Sequence, residues 1–215
     1  MPPTVNARIP LSLLEAVRRI DTPESDPDTE YVQELRNKRL GLSDTVYQQI
    51  RRYSDAVKRG QMIPYAEATG LATLIGRRPD AEALFVSAGQ ILASDVYGAI
   101  SAARRNTIRL LPALIGRPLA LGHIRQLATR FLGGTLARTG AFLSLSVTDS
   151  VTANGAPDSI GCTYYSSALR EMLTAEARSV VAASQGVGEP ELVRRHKLEV
   201  EPREASGSGP TRRSG

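Results

Sequence analysis

The sequence predicts an α+β fold, in which a helical N-terminal part packs on a small antiparallel sheet with a helix between its strands. Two observations lead to this prediction. Apolar residues recur at the three-and-four spacing of a buried helix face through most of the chain before residue 133. The alternation of apolar and polar residues that is typical of strands begins only after it. Helices and strands grouped in this way favour α+β over a doubly wound parallel sheet.

The predicted helices are separated by proline, glycine and acidic residues. They cover residues 11–20, 31–40, 43–57, 64–75, a long segment from 80, 107–115 and 119–132. The first begins after a proline, and the acidic loop of residues 21–30 ends it. Ser43 can cap the third helix, and Gly60 stops it. Gly116 and Pro118 are expected to separate the last two helices.

Three strands, with one helix among them, are predicted to follow. Residues 139–149 alternate apolar side chains with serine and threonine, which is the period of a half-buried strand. A loop over 153–161 and a helix over 163–177 come next. The second and third strands are predicted at 179–184 and 196–202. We expect these strands to pair antiparallel in one sheet.

Composition divides the 215 residues into three segments. We expect residues 1–79 to form a helical extension, residues 80–202 to form the main domain, and the Gly- and Ser-rich residues 203–215 to be a disordered tail. The sequence has one cysteine, no signal-peptide pattern in its first residues and no long uncharged apolar run. The sequence therefore predicts a cytoplasmic protein, either free or attached to the periphery of a membrane.

The positive charge is concentrated in one segment. Seven arginines and no acidic residue lie between Arg104 and Arg138, although the net charge of the chain is only +5. Such a segment can bind an anionic ligand, an anionic membrane surface, nucleic acid or an acidic protein partner, or it can be a solvated helix face. Aromatic residues make up 5% of the chain, and Phe131 alone falls within this segment. Nucleic acid is disfavoured because base-stacking surfaces are missing.

Polar residues on predicted helix faces are candidates for a binding site. Asp95 falls on the apolar face of its helix, so it must pair with an arginine, accept backbone hydrogen bonds or face a cavity. His123 and Arg130 border the apolar stripe of a later helix without belonging to it. Because His123 and His196 are the only histidines, the sequence offers no metal site of the usual histidine kind.

Cys162 is the candidate nucleophile of the chain. It stands at the predicted start of a helix, where a thiol pKa can be lowered. No base or cation is identifiable nearby, and its spacing from Tyr165 and Leu169 equally suits packing as a small apolar residue. The motifs of phosphate-binding loops, dinucleotide-binding folds, zinc proteases and serine hydrolases are absent from the sequence. The corresponding enzyme classes are disfavoured.

A series of features in the C-terminal third matches a known pattern. A strand ends in the pair Asp149-Ser150. It is followed by a cysteine at a helix start (Cys162), two aromatic residues (Tyr164 and Tyr165), a glycine turn (Gly186) and a closing strand (198–200). In these features, and in the Ala88-Gly89 pair upstream, residues 80–202 resemble the 4-vinyl reductase domain family. Two further cysteines of that family are missing here, where Ser184 and His196 stand near their places.

The resemblance implies a small-molecule-binding α+β module, similar in fold to TRAPP vesicle-tethering subunits and often dimeric. One branch of the family works in bacteriochlorophyll biosynthesis. We therefore expect an accessory protein that binds a tetrapyrrole of the chlorophyllide type, or another apolar anionic small molecule, as a homodimer. The expected ligand site comprises Asp95, His123, Arg125, Arg130, Cys162, Tyr164 and Tyr165.

Two other functions are open on the sequence alone. One is a non-catalytic assembly module, whose arginine segment docks on an acidic protein partner or an anionic membrane surface. The other is a standalone effector-sensing domain, which is the role of a second branch of the family. Catalysis, which would be reduction of a divinyl chlorophyllide, is disfavoured because no electron-donor site is visible. Apart from a bound tetrapyrrole, no cofactor or metal is predicted.

Overall fold

The computed structural model describes residues 3–22, 41, 43–98, 113–139, 142–181 and 198–202. Outside these residues, wholly or in part, lie the predicted helices at 31–40 and 107–115, the acidic loop, the second strand and the tail. Residues 140–141 of the first predicted strand and 196–197 of the third also lie outside them. Helices make up most of the described chain, and two small sheets accompany them. The predicted α+β class is confirmed.

The described helices follow the predicted order, with one short helix, residues 151–155, that the sequence does not predict. They are α1 (Arg8–Asp21), α2 (Asp44–Lys58), α3 (Tyr65–Gly76), α4 (Ala81–Gly98), α5 (Ala113–Leu127), α6 (Val151–Gly155) and α7 (Cys162–Val181). Ser43 caps α2, because its side chain accepts a hydrogen bond of 3.3 Å from the N–H of Val46. Gly60 follows the end of α2 with φ of 65°, a left-handed conformation that favours glycine. Both sequence predictions are confirmed.

Helix α5 continues through residues 116–118, where the sequence predicts a break. A proline inside a helix removes one backbone hydrogen bond and costs about 3 kcal/mol. Ile124 and Leu127 of α5 are buried in the main hydrophobic core, and their burial offsets that cost. The helix then leads into a π-helical turn, Ala128–Leu132, which ends at Gly133 with φ of 65°.

The strands form two separate sheets. They are β1 (Thr4–Asn6), β2 (Met62–Pro64), β3 (Gly134–Thr139), β4 (Phe142–Val147) and β5 (Leu198–Pro202). β1 pairs antiparallel with β2, and the second sheet has the order β3-β4-β5. The strands predicted at 139–149 and 196–202 correspond to β4 and β5. β3, which the sequence does not predict, pairs antiparallel with β4. β5 lies parallel to β4, so the antiparallel pairing expected between these two predicted strands is wrong. A parallel neighbour is reached through a long crossover connection, and α7 belongs to it here.

Two predicted segments have a different structure. Helix α7 extends to Val181, so residues 179–181 are helical and not the start of a strand. The predicted loop at 153–161 contains the end of α6 and a 3₁₀ turn, Pro157–Ser159. Ser150 caps α6 by accepting a hydrogen bond of 3.1 Å from the N–H of Ala153, a local interaction that the loop prediction omits.

The main core is built where α1, α4 and α7 pack together. Its buried side chains come from both the first 79 residues and the later ones, and they include Val17, Ile75, Phe85, Leu92 and Leu169. A second, smaller core lies between α1, α2 and β2, with Leu11, Leu14, Val46, Ile50, Tyr53 and Ile63 among its members. The space between these two cores is where the cavity described below is found.

Helices α4 and α7 are in close contact at Gly89. A Cβ atom at this position would meet the backbone oxygen of Tyr164 and the side-chain oxygen of Ser167. The hydroxyl of Ser167 also donates a hydrogen bond of 3.1 Å to the backbone oxygen of Val86 on α4. The glycine is therefore required by the contact between the two helices.

An ion-pair cluster joins the end of α1 to the start of α4. Arg78 donates to both carboxylate oxygens of Asp21, at 3.0 and 2.8 Å, and to both oxygens of Asp80, at 2.8 and 2.9 Å. The N–H of Gly41 donates to Asp21 at 2.8 Å. Burial acts to raise the pKa of Asp21, but the hydrogen bonds from Arg78 and Gly41 and the charge of Arg78 outweigh it and hold that pKa below its ordinary value.

Candidate ligand-binding site

The two tyrosines of the expected site are packed inside the main core. Tyr164 and Tyr165 are 0% and 1% exposed, and their rings meet edge to face with centroids 5.2 Å apart. The hydroxyl of Tyr164 lies 3.1 Å from that of Ser12, and the N–H of Val151 donates to the hydroxyl of Tyr165 at 3.1 Å. Burial raises the pKa of both tyrosines, so both hydroxyls stay protonated.

Cys162 is the first residue of α7 and is only partly buried. Burial raises the pKa of its thiol above the ordinary value. A raised pKa is the opposite of what an activated nucleophile needs, because the thiolate is the reactive form. Of the two roles that the sequence leaves open, the environment therefore favours packing.

Asp95 lies on the exposed side of α4, with 49% of its side chain accessible, and not on the buried face that the sequence predicts. Its carboxylate accepts a hydrogen bond of 2.7 Å from Arg8, which satisfies the predicted pairing with an arginine. The sequence predicts Asp95 on the apolar face of α4, which is wrong, and α1 supplies the arginine partner that the α4 sequence does not contain. Burial and the charge of Asp95 raise the pKa of Glu15 on α1, and the charge of Arg18 acts in the opposite direction.

The remaining residues of the expected site lie on α5 and the π-helical turn. His123 is buried, with 5% exposure, and so belongs to the core that the sequence predicts it to border. Arg125 and Arg130 are exposed. The guanidinium of Arg130 lies 5.4 Å from the ring centroid of Phe131, and that of Arg8 lies 5.7 Å from the same ring. The structure thus brings Asp95 and Arg130 into one surface cluster through Arg8 and Phe131, apart from the packed tyrosines.

A cavity of about 420 Å³ lies between α1, α2 and α3. Its lining residues are Leu14, Val17, Thr45, Val46, Gln49, Arg52, Tyr53, Glu67, Gly70, Leu71, Leu74 and Ile75. The buried members, such as Leu14, Val17 and Ile75, form an apolar floor. Exposed members, such as Gly70 and Leu74, form a rim. We refer to this feature as the α1–α2–α3 cavity.

Three polar side chains meet at one edge of the α1–α2–α3 cavity. The hydroxyl of Tyr53 donates to Glu67 at 2.7 Å, and the guanidinium of Arg52 lies 3.0 Å from the same carboxylate. Arg52 also donates to Gln49 at 3.3 Å, and its guanidinium lies 5.5 Å from the ring centroid of Tyr53. Burial and the neighbouring Glu67 raise the pKa of Tyr53. This polar edge comprises a protonated donor, a cation and a carboxylate.

The α1–α2–α3 cavity escapes sequence reasoning because its residues come from three separate helices. Arg52 and Glu67 stand 15 positions apart and belong to different helices, so no local spacing joins them. One local signal exists. Gly70 lies in the middle of the apolar helix α3, where no turn requires a glycine, and a Cβ atom there would meet nothing within 4 Å. A glycine in mid-helix that no neighbour crowds indicates open space beside it.

The described part of the chain shows no metal centre and no membrane-spanning helix. Among the described residues, no group of three or more His, Cys, Asp or Glu could hold a metal ion. In the same part of the chain, we find no helix with both the length and the apolar character that crossing a membrane requires. Comparison of the chain with protein-family models, with curated proteins and with solved structures gave no match.

Proposed function

We propose that this protein binds an apolar small molecule in the α1–α2–α3 cavity. The observation that supports this proposal is the cavity itself, with an apolar floor and a few polar groups at one edge. Its volume of about 420 Å³ lies within the roughly 300 to 1,000 Å³ that is usual for small-molecule sites. An apolar floor supplies affinity, and polar groups at one edge orient the ligand.

The first ligand class to test is the tetrapyrroles of the chlorophyllide type. This choice follows from the features that residues 80–202 share with 4-vinyl reductase domains and from the TRAPP-like fold that those features imply, whereas the cavity itself is lined by residues of α1, α2 and α3, before residue 80. Such pigments combine a broad apolar ring with a carboxylate. An effector-sensing role would use the same cavity for a smaller aromatic molecule.

The proposal is tested by absorbance titration with a chlorophyllide and with protoporphyrin. We expect the Soret band to shift with the wild-type protein and the shift to be lost with Gly70→Leu, because the added side chain projects into the cavity without a clash. Gly70→Leu should also raise stability by about 0.5 to 1 kcal/mol, since glycine is a poor residue in mid-helix. Loss of the shift would then not reflect unfolding.

Gly122→Leu is the matched control. Gly122 is also an exposed glycine within a helix, and a Cβ atom there also meets nothing within 4 Å, but it lies on α5 and does not line the cavity. Arg125→Ala and Arg130→Ala test the expected site at α5 and the π-helical turn. A Soret shift that survives Gly70→Leu but is lost in these arginine variants would move the ligand site to that surface. No shift at micromolar concentrations of either pigment would remove the tetrapyrroles as ligands.

A second candidate function is assembly with another copy of this chain. Exposed large apolar side chains on α2, β2 and α3 favour it, namely Tyr47, Met62 and Leu74. The tight packing of Tyr164 and Tyr165 also favours a structural role for the C-terminal part. A further proposal is that the arginine segment docks on an acidic protein partner or an anionic membrane. Three arginines of that segment are exposed in the described part of the chain, namely Arg125, Arg130 and Arg138.

A further inference from the structure

We infer that the ligand of the α1–α2–α3 cavity is an apolar carboxylic acid, whose carboxylate binds Arg52 in competition with the protein's own Glu67. This inference rests on the proposed function, because it assumes that the cavity holds a small molecule. It adds the chemical class of the ligand, the residue that recognises its charge and the internal group that it displaces. Of the lining residues, Arg52 carries the positive charge and Glu67 the negative charge.

Arg52 is placed to reach both the cavity and the solvent. Its side chain is 54% exposed, whereas Tyr53, beside it on α2, is buried. The contacts to Gln49 and Glu67 use the two terminal nitrogens of the guanidinium. A guanidinium has five N–H donors in a planar fork that suits bidentate binding of a carboxylate. The N–H groups of Arg52 outside these contacts can donate to a ligand carboxylate as it arrives from the cavity side, before Arg52 leaves Glu67.

Glu67 shows that a carboxylate fits at this edge. One of its oxygens accepts the Tyr53 hydroxyl at 2.7 Å, and the carboxylate lies 3.0 Å from Arg52. These are the contacts that a ligand carboxylate needs in order to leave water. Glu67 is attached to α3, so it occupies the edge when no ligand is bound and competes with a ligand for Arg52.

A cationic ligand is less compatible with the polar edge of the α1–α2–α3 cavity. A cationic ligand would have to bind Glu67, whose two oxygens already lie in contact with Tyr53 and Arg52. Displacing Arg52 would leave an arginine beside the incoming cation, and like charges in contact are unfavourable. An anionic ligand requires that Arg52 turn from Glu67 towards the cavity, while Glu67 keeps the hydrogen bond from Tyr53. The exposure of Arg52 makes this movement inexpensive in solvation energy.

The first experiment compares three probes of equal chain length by isothermal titration calorimetry: decanoate, 1-decanol and decylammonium. All three share the apolar chain that the cavity floor would bury. We expect decanoate to bind about tenfold more tightly than decanol, as one charge-assisted interaction allows, and decylammonium to bind more weakly than decanol. Equal affinities for decanoate and decanol would overturn the inference but leave the proposed function intact. Binding of none of the probes and of no pigment would overturn both.

Variants at the polar edge should move decanoate affinity in opposite directions. Arg52→Gln should weaken it about tenfold, because the ligand loses its cation. Glu67→Gln should strengthen it severalfold, because Arg52 loses its internal anion while Tyr53 can still donate to the amide oxygen. Decanol affinity should change little in either variant. A Glu67→Gln variant that binds decanoate no better than the wild type contradicts the competition.

Arg51→Gln is the matched control, since Arg51 is an exposed arginine one position earlier on α2 that does not line the cavity. It should leave the affinity for decanoate unchanged, and an equal loss in Arg51→Gln and Arg52→Gln would indicate general charge attraction only. Protoporphyrin and its dimethyl ester then distinguish the two sources of such a carboxylate. A preference for the free porphyrin acid that Arg52→Gln abolishes identifies the propionate of a tetrapyrrole. Binding of decanoate without porphyrin identifies a fatty acid.

Discussion

At the scale of single residues, Arg78 joins the end of α1 to the start of α4 through its contacts with Asp21 and Asp80. Its guanidinium lies between two carboxylates, of which Asp21 is almost fully buried. Removing one partner of such a pair leaves the other as an uncompensated charge, which costs more than the pair contributes in total. The hydrogen bonds from Arg78 keep the pKa of Asp80 low as well, so both carboxylates are ionised around the cation.

We expect Arg78→Ala to lower the free energy of unfolding by about 2 to 3 kcal/mol at neutral pH. The pKa of Asp21 is lower in the folded chain than its ordinary value, so its stabilising contribution is complete above about pH 4 and is lost as the pH falls through the folded-state pKa. The difference between wild type and Arg78→Ala in urea unfolding should therefore shrink below about pH 4.

Arg77→Ala provides the comparison for Arg78→Ala, because Arg77 is the exposed neighbour in the same turn. It should change the free energy of unfolding by less than about 0.5 kcal/mol at any pH. A difference between Arg78→Ala and wild type that stays constant from pH 7 to pH 3 would show that the ion pairs are not its cause.

At the scale of helices and strands, side-chain periodicity predicts buried faces well and pairing partners poorly. The spacing of Leu84, Phe85, Ala88, Ile91 and Leu92 predicts α4. Four of these residues are buried, and Ile91 is partly buried. Strand β3 escapes prediction because Leu136 is the one large apolar side chain among its buried positions. The direction of β5 escapes prediction because alternation along a strand is the same in parallel and antiparallel pairs.

Gly89→Ala tests the contact between α4 and α7. The added methyl group would press on the backbone of Tyr164, which cannot move aside as a flexible side-chain tip can. We expect the free energy of unfolding to fall by about 1 to 3 kcal/mol, the usual cost of overpacking. Gly70→Ala, in open space on α3, should instead gain about 0.5 to 1 kcal/mol. Urea denaturation of both variants measures the two effects, and an equal gain in both would disprove the close contact.

At the scale of the whole molecule, the assembly candidate predicts a homodimer. Sedimentation velocity over a range of protein concentrations should reveal an equilibrium between monomer and dimer. Met62→Lys should shift it towards the monomer, because a charge replaces an exposed apolar side chain on β2. Gln61→Lys, at the exposed position before it, should have little effect. A wild-type chain that stays monomeric at high concentration rules out this dimer.

For the whole molecule, local spacing in the sequence predicts some features of the fold and misses others. The order of helices and the packing of Tyr165 and Leu169 on one side of α7 follow from local spacing, and the structure has both. The α1–α2–α3 cavity depends on three helices meeting at particular distances, and the Arg8–Asp95 pair joins residues 87 positions apart. Such contacts are set by tertiary packing, for which a single sequence has no local signal.

The parallel pairing of β4 with β5 has a consequence for how the chain reaches its native state. Leu143 pairs with Leu198, and the whole of α7 lies between them in the sequence. During synthesis, β4 therefore emerges from the ribosome long before the strand that covers its free edge. Until then its unpaired backbone groups form an exposed strand edge, a feature that can pair with another chain and so favours aggregation.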